Sequence, residues 1–167
     1  MYRACIALVD ASRARLFAFE RSHEIEGLRE WMSEHLDLVN PARRRRPSEL
    51  FSETRPGSSR VGGLQYTFDD HREDHLDELD AEFAGTVIDE LGRLLDATGA
   101  RRLILCASPK MLGALRAAGV ELYRRGLAID ELPRDLVKLG AAEIRDRLAA
   151  HELLPPRPPH SGPAGER

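Results

Sequence analysis

Cysteine is scarce in this chain of 167 residues, with only Cys5 and Cys106. Two thiols cannot supply a disulfide framework or a four-thiolate zinc site. Lysine is equally scarce: Lys110 and Lys138 are the only two among 25 basic residues, so 23 are arginines. Arginine dominance of this kind accompanies GC-rich coding and is not by itself a nucleic-acid signal. No apolar run approaches the ~18–20 residues that cross a bilayer. The short apolar start meets Asp10, Arg13 and Arg15 before reaching the length of a secretory signal, and no small-residue cleavage site follows it. These absences exclude a membrane span, a disulfide-stapled secreted domain and a zinc ribbon. With 42% hydrophobic and 32% charged residues, the expectation is one cytoplasmic globular domain.

Charge is present in quantity and is segregated. The net charge of −3 combines +4 over residues 41–60 with −9 over residues 61–98, so a basic stretch abuts a strongly acidic one.

Hydrophobic patterning orders the elements. Residues 3–9 form a continuous apolar run, as a strand buried on both faces does. After a polar turn, Leu16, Phe17 and Phe19 mark a second strand from Ala14 to Glu20. Residues 27–38 hold Leu28, Trp31, Met32, Leu36 and Leu38 among charges; helix and half-buried strand both suit them, and we read a strand. No helix-length pattern separates these three segments, which predicts antiparallel pairing through short turns. Residues 40–66 carry Pro41, Pro47, Pro56, Gly57, Gly62 and Gly63 with few apolar residues, and read as a long basic loop.

From Thr67 to Thr98, Leu76, Leu79, Phe83, Val87, Leu91, Leu94 and Leu95 recur at spacings of three and four, predicting a long amphipathic helix that Gly99 closes. Residues 101–107 read as another buried strand. Ser108 then caps a helix with Pro109 at its first position, running to about Ala118 with a further turn through Tyr123. A short strand over Leu127–Leu132 and a helix over Ala141–His151 complete the domain. The expected fold is α/β: a mixed five-stranded sheet with flanking helices, in the order strand-strand-strand-helix-strand-helix-strand-helix. Strand four should return parallel beside strand one, placing Cys5 and Cys106 on neighbouring strands. Residues 1–152 would be a single domain and 153–167, rich in proline, a disordered tail.

Five segments occur in a telling order: Val9-Asp10-Ala11-Ser12-Arg13-Ala14-Arg15-Leu16-Phe17, Arg55-Pro56-Gly57, Asp70-His71-Arg72-Glu73-Asp74-His75, Leu112-Gly113-Ala114-Leu115-Arg116 and Asp135-Leu136. Together, over about residues 3–150, they resemble the bacterial host attachment protein family, grouped with bacterial relatives of the archaeal and eukaryotic class I release factors. The resemblance implies the middle-domain fold of those release factors, of ribonuclease H-like architecture, and a link to ribosomes or peptidyl-tRNA. The family's name implies adhesion to host cells. It also implies a reading of Gly62-Gly63-Leu64-Gln65, because in release factors a Gly-Gly-Gln loop orients the water that cleaves the peptidyl ester. Here Leu64 interrupts the tripeptide and leaves Gln65, the candidate catalytic residue, one position out of register. A flexible Gly-Gly turn before a helix is the alternative.

Arg43, Arg44, Arg45, Arg46, Arg55 and Arg60 are candidates for neutralising RNA phosphates. The alternative is a solvated loop folded over the acidic helix. Phe51, Tyr66 and Phe68 are the few aromatic residues nearby, so base-specific recognition has little support there. Ser108 and Lys110, at a strand's carboxyl end and a helix start, are a candidate anion site; a plainly capped helix is the alternative. His71 and His75 have metal-ligand spacing, but Arg72 stands where a zincin has Glu, so a solvated helix start is expected. Asp10 ends the first strand, where ribonuclease H-like nucleases place a metal-binding carboxylate. The fourth strand ends Cys106-Ala107-Ser108 without an acid, and Asp10 reads as a turn former. Cys5 and Cys106 read as inert core thiols.

The expectation from sequence is a release-factor-like module that binds RNA, the ribosome or a protein partner, without metal or cofactor and without being an independent enzyme. Peptidyl-tRNA ester hydrolysis through Gln65 is one alternative. An interaction protein required for attachment to host cells is the other.

Overall fold

A computed structural model of the chain describes residues 1–44 and 67–158. Strands β1 (Tyr2–Val9), β2 (Arg13–Glu24) and β3 (Gly27–Val39) form a meander, followed by one helical turn, α1 (Pro41–Arg44). Helix α2 (Thr67–Thr98) leads to β4 (Arg102–Cys106). Helices α3 (Pro109–Ala118) and α4 (Val120–Tyr123) lead to β5 (Ala128–Leu132), and α5 (Ala141–Ala150) follows. The strands make one sheet in the order β3-β2-β1-β4-β5. β2 runs antiparallel to β1 and β3, while β1, β4 and β5 are parallel. This is the expected mixed five-stranded α/β arrangement. Leu8 lies opposite Cys106 and Cys5 opposite Leu103, so the two thiols stand on neighbouring parallel strands, as the crossover argument requires.

Both faces of the sheet are covered, which is why β1 reads as an unbroken apolar run. Cys5, Ala7 and Val9 face α2 and α3, whereas Ala4, Ile6 and Leu8 face α5. In α2 the buried stripe is Phe83, Ala84, Val87, Ile88, Leu91, Leu94 and Leu95. Leu76 and Leu79, expected in that stripe, are only half-buried. Length explains it: 32 residues of helix span about 48 Å, and strands of five to eight residues span about 16–27 Å. The N-terminal part of α2 therefore runs past the sheet.

Three expectations need correction. Residues 41–44 of the expected loop form α1, because Asn40 is buried and its Oδ1 accepts from Ala42 N at 3.1 Å. β2 and β3 are longer than expected and form an extended hairpin, with His35 as an extra residue where the register shifts opposite Leu16 and Phe17. At the start of the tail expected to be disordered, Leu153 and Leu154 pack against α5, while Pro156 and Arg157 are exposed. Leu154 is 3% exposed, and the amides of Leu153 and Leu154 donate to Leu148 O at 2.9 and 3.3 Å. Two leucines closing the α5 core, with arginines satisfying the proline carbonyls, outweigh the proline composition. Residues 159–167 of the expected tail lie outside the described residues.

Candidate functional site

The carboxyl ends of β1, β3, β4 and β5 share one edge of the sheet. Asp10, Arg43, Ser108 and Lys110, singled out from sequence, follow strands that end at that edge, each with its own partner. Asp10 is a turn former: its Oδ1 accepts from the amides of Ser12 and Arg13, both at 2.7 Å. Arg13 then reaches across to β3 and holds both oxygens of Asp37, at 2.7 and 2.6 Å. Those hydrogen bonds lower the Asp37 carboxyl below its ordinary value. Asn40 ties the end of β3 to the β1–β2 turn, donating from its amide to Ser12 O at 2.8 Å and from Nδ2 to Ala11 O at 2.9 Å.

The two candidate cations that are described are both engaged by α2. Arg43 donates from Nη2 to Asp80 Oδ1 at 2.9 Å, with Asp80 largely buried. This contact is of the kind the alternative describes, a basic segment packed on the acidic helix. Lys110 Nζ lies 2.6 Å from Asp77 Oδ1, a hydrogen bond that raises its ammonium above the ordinary value. Ser108 is an N-cap whose Oγ accepts from Met111 N at 3.2 Å. These contacts give Ser108 and Lys110 structural partners, as in the alternative of a plainly capped helix. Arg44 ends α1, but its side chain lies outside the described residues, as do Arg45, Arg46, Arg55, Arg60, Gly62, Gly63 and Gln65.

Geometry still constrains where that segment rejoins the fold. Lys110 meets α2 at Asp77, and Thr67 begins the helix ten residues earlier, about 15 Å along its axis. His71 to Asp74 are exposed on this projection, and His75 Nδ1 lies 4.0 Å from Glu78 Oε2. Among the described residues no group of three or more His, Cys, Asp or Glu side chains is arranged to hold a metal ion.

Sequence reasoning missed two buried arginines. Arg15 clamps both oxygens of Glu34, at 2.7 and 2.9 Å, and donates from Nη1 to the carbonyls of Val137 and Leu139, at 2.9 and 2.6 Å. It thereby joins the Asp10–Phe17 segment to Asp135-Leu136, where Asp135 Oδ1 accepts from Val137 N at 3.1 Å. Arg145 binds Glu30 and the carbonyl of Pro155. The only signal for either in sequence is an arginine inside an apolar pattern. Both cysteines are buried, and burial pushes the Cys106 thiol up to about 12 and the Cys5 thiol upward as well. Tyr123 donates to Glu131 at 2.6 Å, and burial together with that carboxylate raises its phenol.

Fold and edge together define a mixed α/β domain whose longest helix projects from the end where β1, β3, β4 and β5 terminate. The chain belongs to the family described as "Protein required for attachment to host cells", whose model matches residues 5–148, from within β1 to within α5. No curated protein matches the chain significantly.

Proposed function

We propose that this member of the host-attachment family is a translation-associated binding module, engaging RNA or the ribosome, and not an independent enzyme. The observation that carries the reading is the projection of α2. A helix end standing clear of the sheet, joined directly to a segment with five further arginines and the sequence Gly62-Gly63-Leu64-Gln65, suits insertion into a ribonucleoprotein surface. The element order also supports kinship with the middle domain of class I release factors. The insertion of Leu64 weighs against ester hydrolysis, since it displaces the Gln65 amide by one residue.

The test is co-sedimentation of the full chain with ribosomes at low and high salt. Salt-sensitive association is expected, and its absence at low salt removes the reading. An interaction protein acting in attachment, which the family description favours, then takes its place. Release of a labelled peptide from tRNA that depends on Gln65 would instead establish ester hydrolysis.

A further inference from the structure

On the face that α2 covers, Ala14 and Leu16 of β2 pack in the core, but the sheet is open further along the hairpin, where Ala18, Glu20, Ser33 and Trp31 lie. α2 ends over β1, where Thr98 Oγ1 meets Cys5 Sγ at 3.5 Å, and Gly99, at φ +65°, turns the chain away into β4. Two cross-strand rows lie beside that end: Cys5–Ala18–Ser33 and Arg3–Glu20–Trp31. All of these residues except the buried Cys5 line a groove of about 290 Å³ that Ala18, Ala97 and Ala100 keep open. Trp31 stands at its lip with 45% of its surface exposed, and Ser33 Oγ lies 3.1 Å from His35 Nε2 on the same wall.

The polar pair in the groove is loosely made. Arg3 and Glu20 approach only to 3.4 Å, against 2.6–2.9 Å for Arg13–Asp37 and Arg15–Glu34. At that separation both groups keep hydrogen-bonding capacity for a third partner. With strands about 4.8 Å apart, a ring stacked on the indole of Trp31 has Glu20 within reach of its edge and Arg3 one strand beyond. The matching edge offers two adjacent N–H donors to the carboxylate and an acceptor to the guanidinium. Guanine has that edge, in N1–H, the 2-amino group and O6. Adenine presents an acceptor at N1, and pyrimidines offer a smaller stacking face.

We propose that this groove binds a guanine base, stacked on Trp31 and read by Glu20 and Arg3. The base would come from a free nucleotide or from single-stranded RNA. The proposal is independent of the translation reading, because a mononucleotide needs neither the projecting helix nor the arginine segment.

Trp31 is the chain's single tryptophan, so its emission reports on this groove alone. Titration of the full chain with GMP should give saturable quenching, at least tenfold tighter than with AMP or UMP. Ala97→Leu, at an exposed helix position, fills the groove without entering the core, and should weaken GMP at least tenfold with unfolding unchanged. Glu20→Gln should have a similar effect on GMP alone. A uridine hexanucleotide carrying one guanosine separates the sources: tighter binding than GMP identifies RNA, and equal binding a free nucleotide. Absent saturation, equal affinity for all three mononucleotides, or unchanged GMP affinity in Ala97→Leu overturns the proposal.

Discussion

Arg145 is the most buried charged residue among those described, and replacing it with alanine tests how the C-terminal segment is held. Its guanidinium donates from Nε and Nη2 to the two oxygens of Glu30, at 2.6 and 2.9 Å, and from Nη2 to Pro155 O at 2.7 Å. It also lies 5.7 Å from the Phe19 ring centroid. Arg21 donates to the same carboxylate and to the carbonyl of Pro156. Truncation leaves Glu30 with one cation in a buried setting and Pro155 O with only the longer contact from Arg21, at 3.4 Å. Breaking a buried pair from one side costs about 3–5 kcal/mol. In a domain of this size that lowers Tm by roughly 6–20 °C, at ~2–4 °C per kcal/mol. Arg145→Lys keeps the charge but not the fork, and should lose about 1–3 kcal/mol.

The acid limb gives a second readout of the same contact. Burial acts to raise the Glu30 carboxyl, but the hydrogen bonds from Arg145 and Arg21 outweigh it and hold the group below its ordinary value. A depressed carboxyl contributes its full stability above the unfolded value, ~4.3, and loses it as pH falls through the folded value. Arg145→Ala should therefore flatten the loss of stability below about pH 4. Urea denaturation followed by circular dichroism, at pH 7 and in acid, measures both effects. A loss under about 1 kcal/mol at pH 7, or an unchanged acid limb, would refute the reasoning.

Other expectations follow from single contacts. Leu154→Ala, by emptying a site closed by α5, should cost about 2–5 kcal/mol in chemical denaturation, and a stop codon after Glu152 should cost at least as much. Ser108→Ala removes the cap of α3 and should cost about 0.5–2 kcal/mol by the same assay. At pH 8 the Cys106 thiol, pushed up to about 12 by burial, should resist a thiol reagent in the native protein and react once the chain is unfolded in urea. Stoichiometric labelling of native protein would contradict its placement in the core.

Where one physical effect dominated, the fold was legible in the sequence. β1 and β4 are buried on both faces and read as unbroken apolar runs, and Ser108-Pro109 states a helix start through capping and a fixed φ. The β3 assignment was harder because an edge strand alternates half-buried residues with charges such as Glu30 and Glu34, whose arginine partners come from β2 and α5. Arg15 and Arg145 were missed for the same reason, since an isolated arginine in sequence looks solvated until its carboxylate arrives from elsewhere. At the candidate edge, Asp10 and the Ser108 cap were legible as local turn chemistry. The quenching of Arg43 by Asp80 and of Lys110 by Asp77 was not, because it depends on how far α2 runs past the sheet.

That quenching sharpens the decisive variant. Arg43 pairs with Asp80, so the cleanest test replaces Arg44, Arg45 and Arg46 together by serine and leaves the Arg43–Asp80 pair intact. The measurement is the salt dependence of RNA or ribosome affinity, taken alongside thermal stability. Losing three phosphate contacts should flatten the slope of log affinity against log salt by about 2, at ~0.7 per single-strand phosphate, and weaken binding at low salt with Tm unchanged. Unchanged affinity and slope, accompanied by a lower Tm, would contradict the account and assign these arginines to the acidic face of α2.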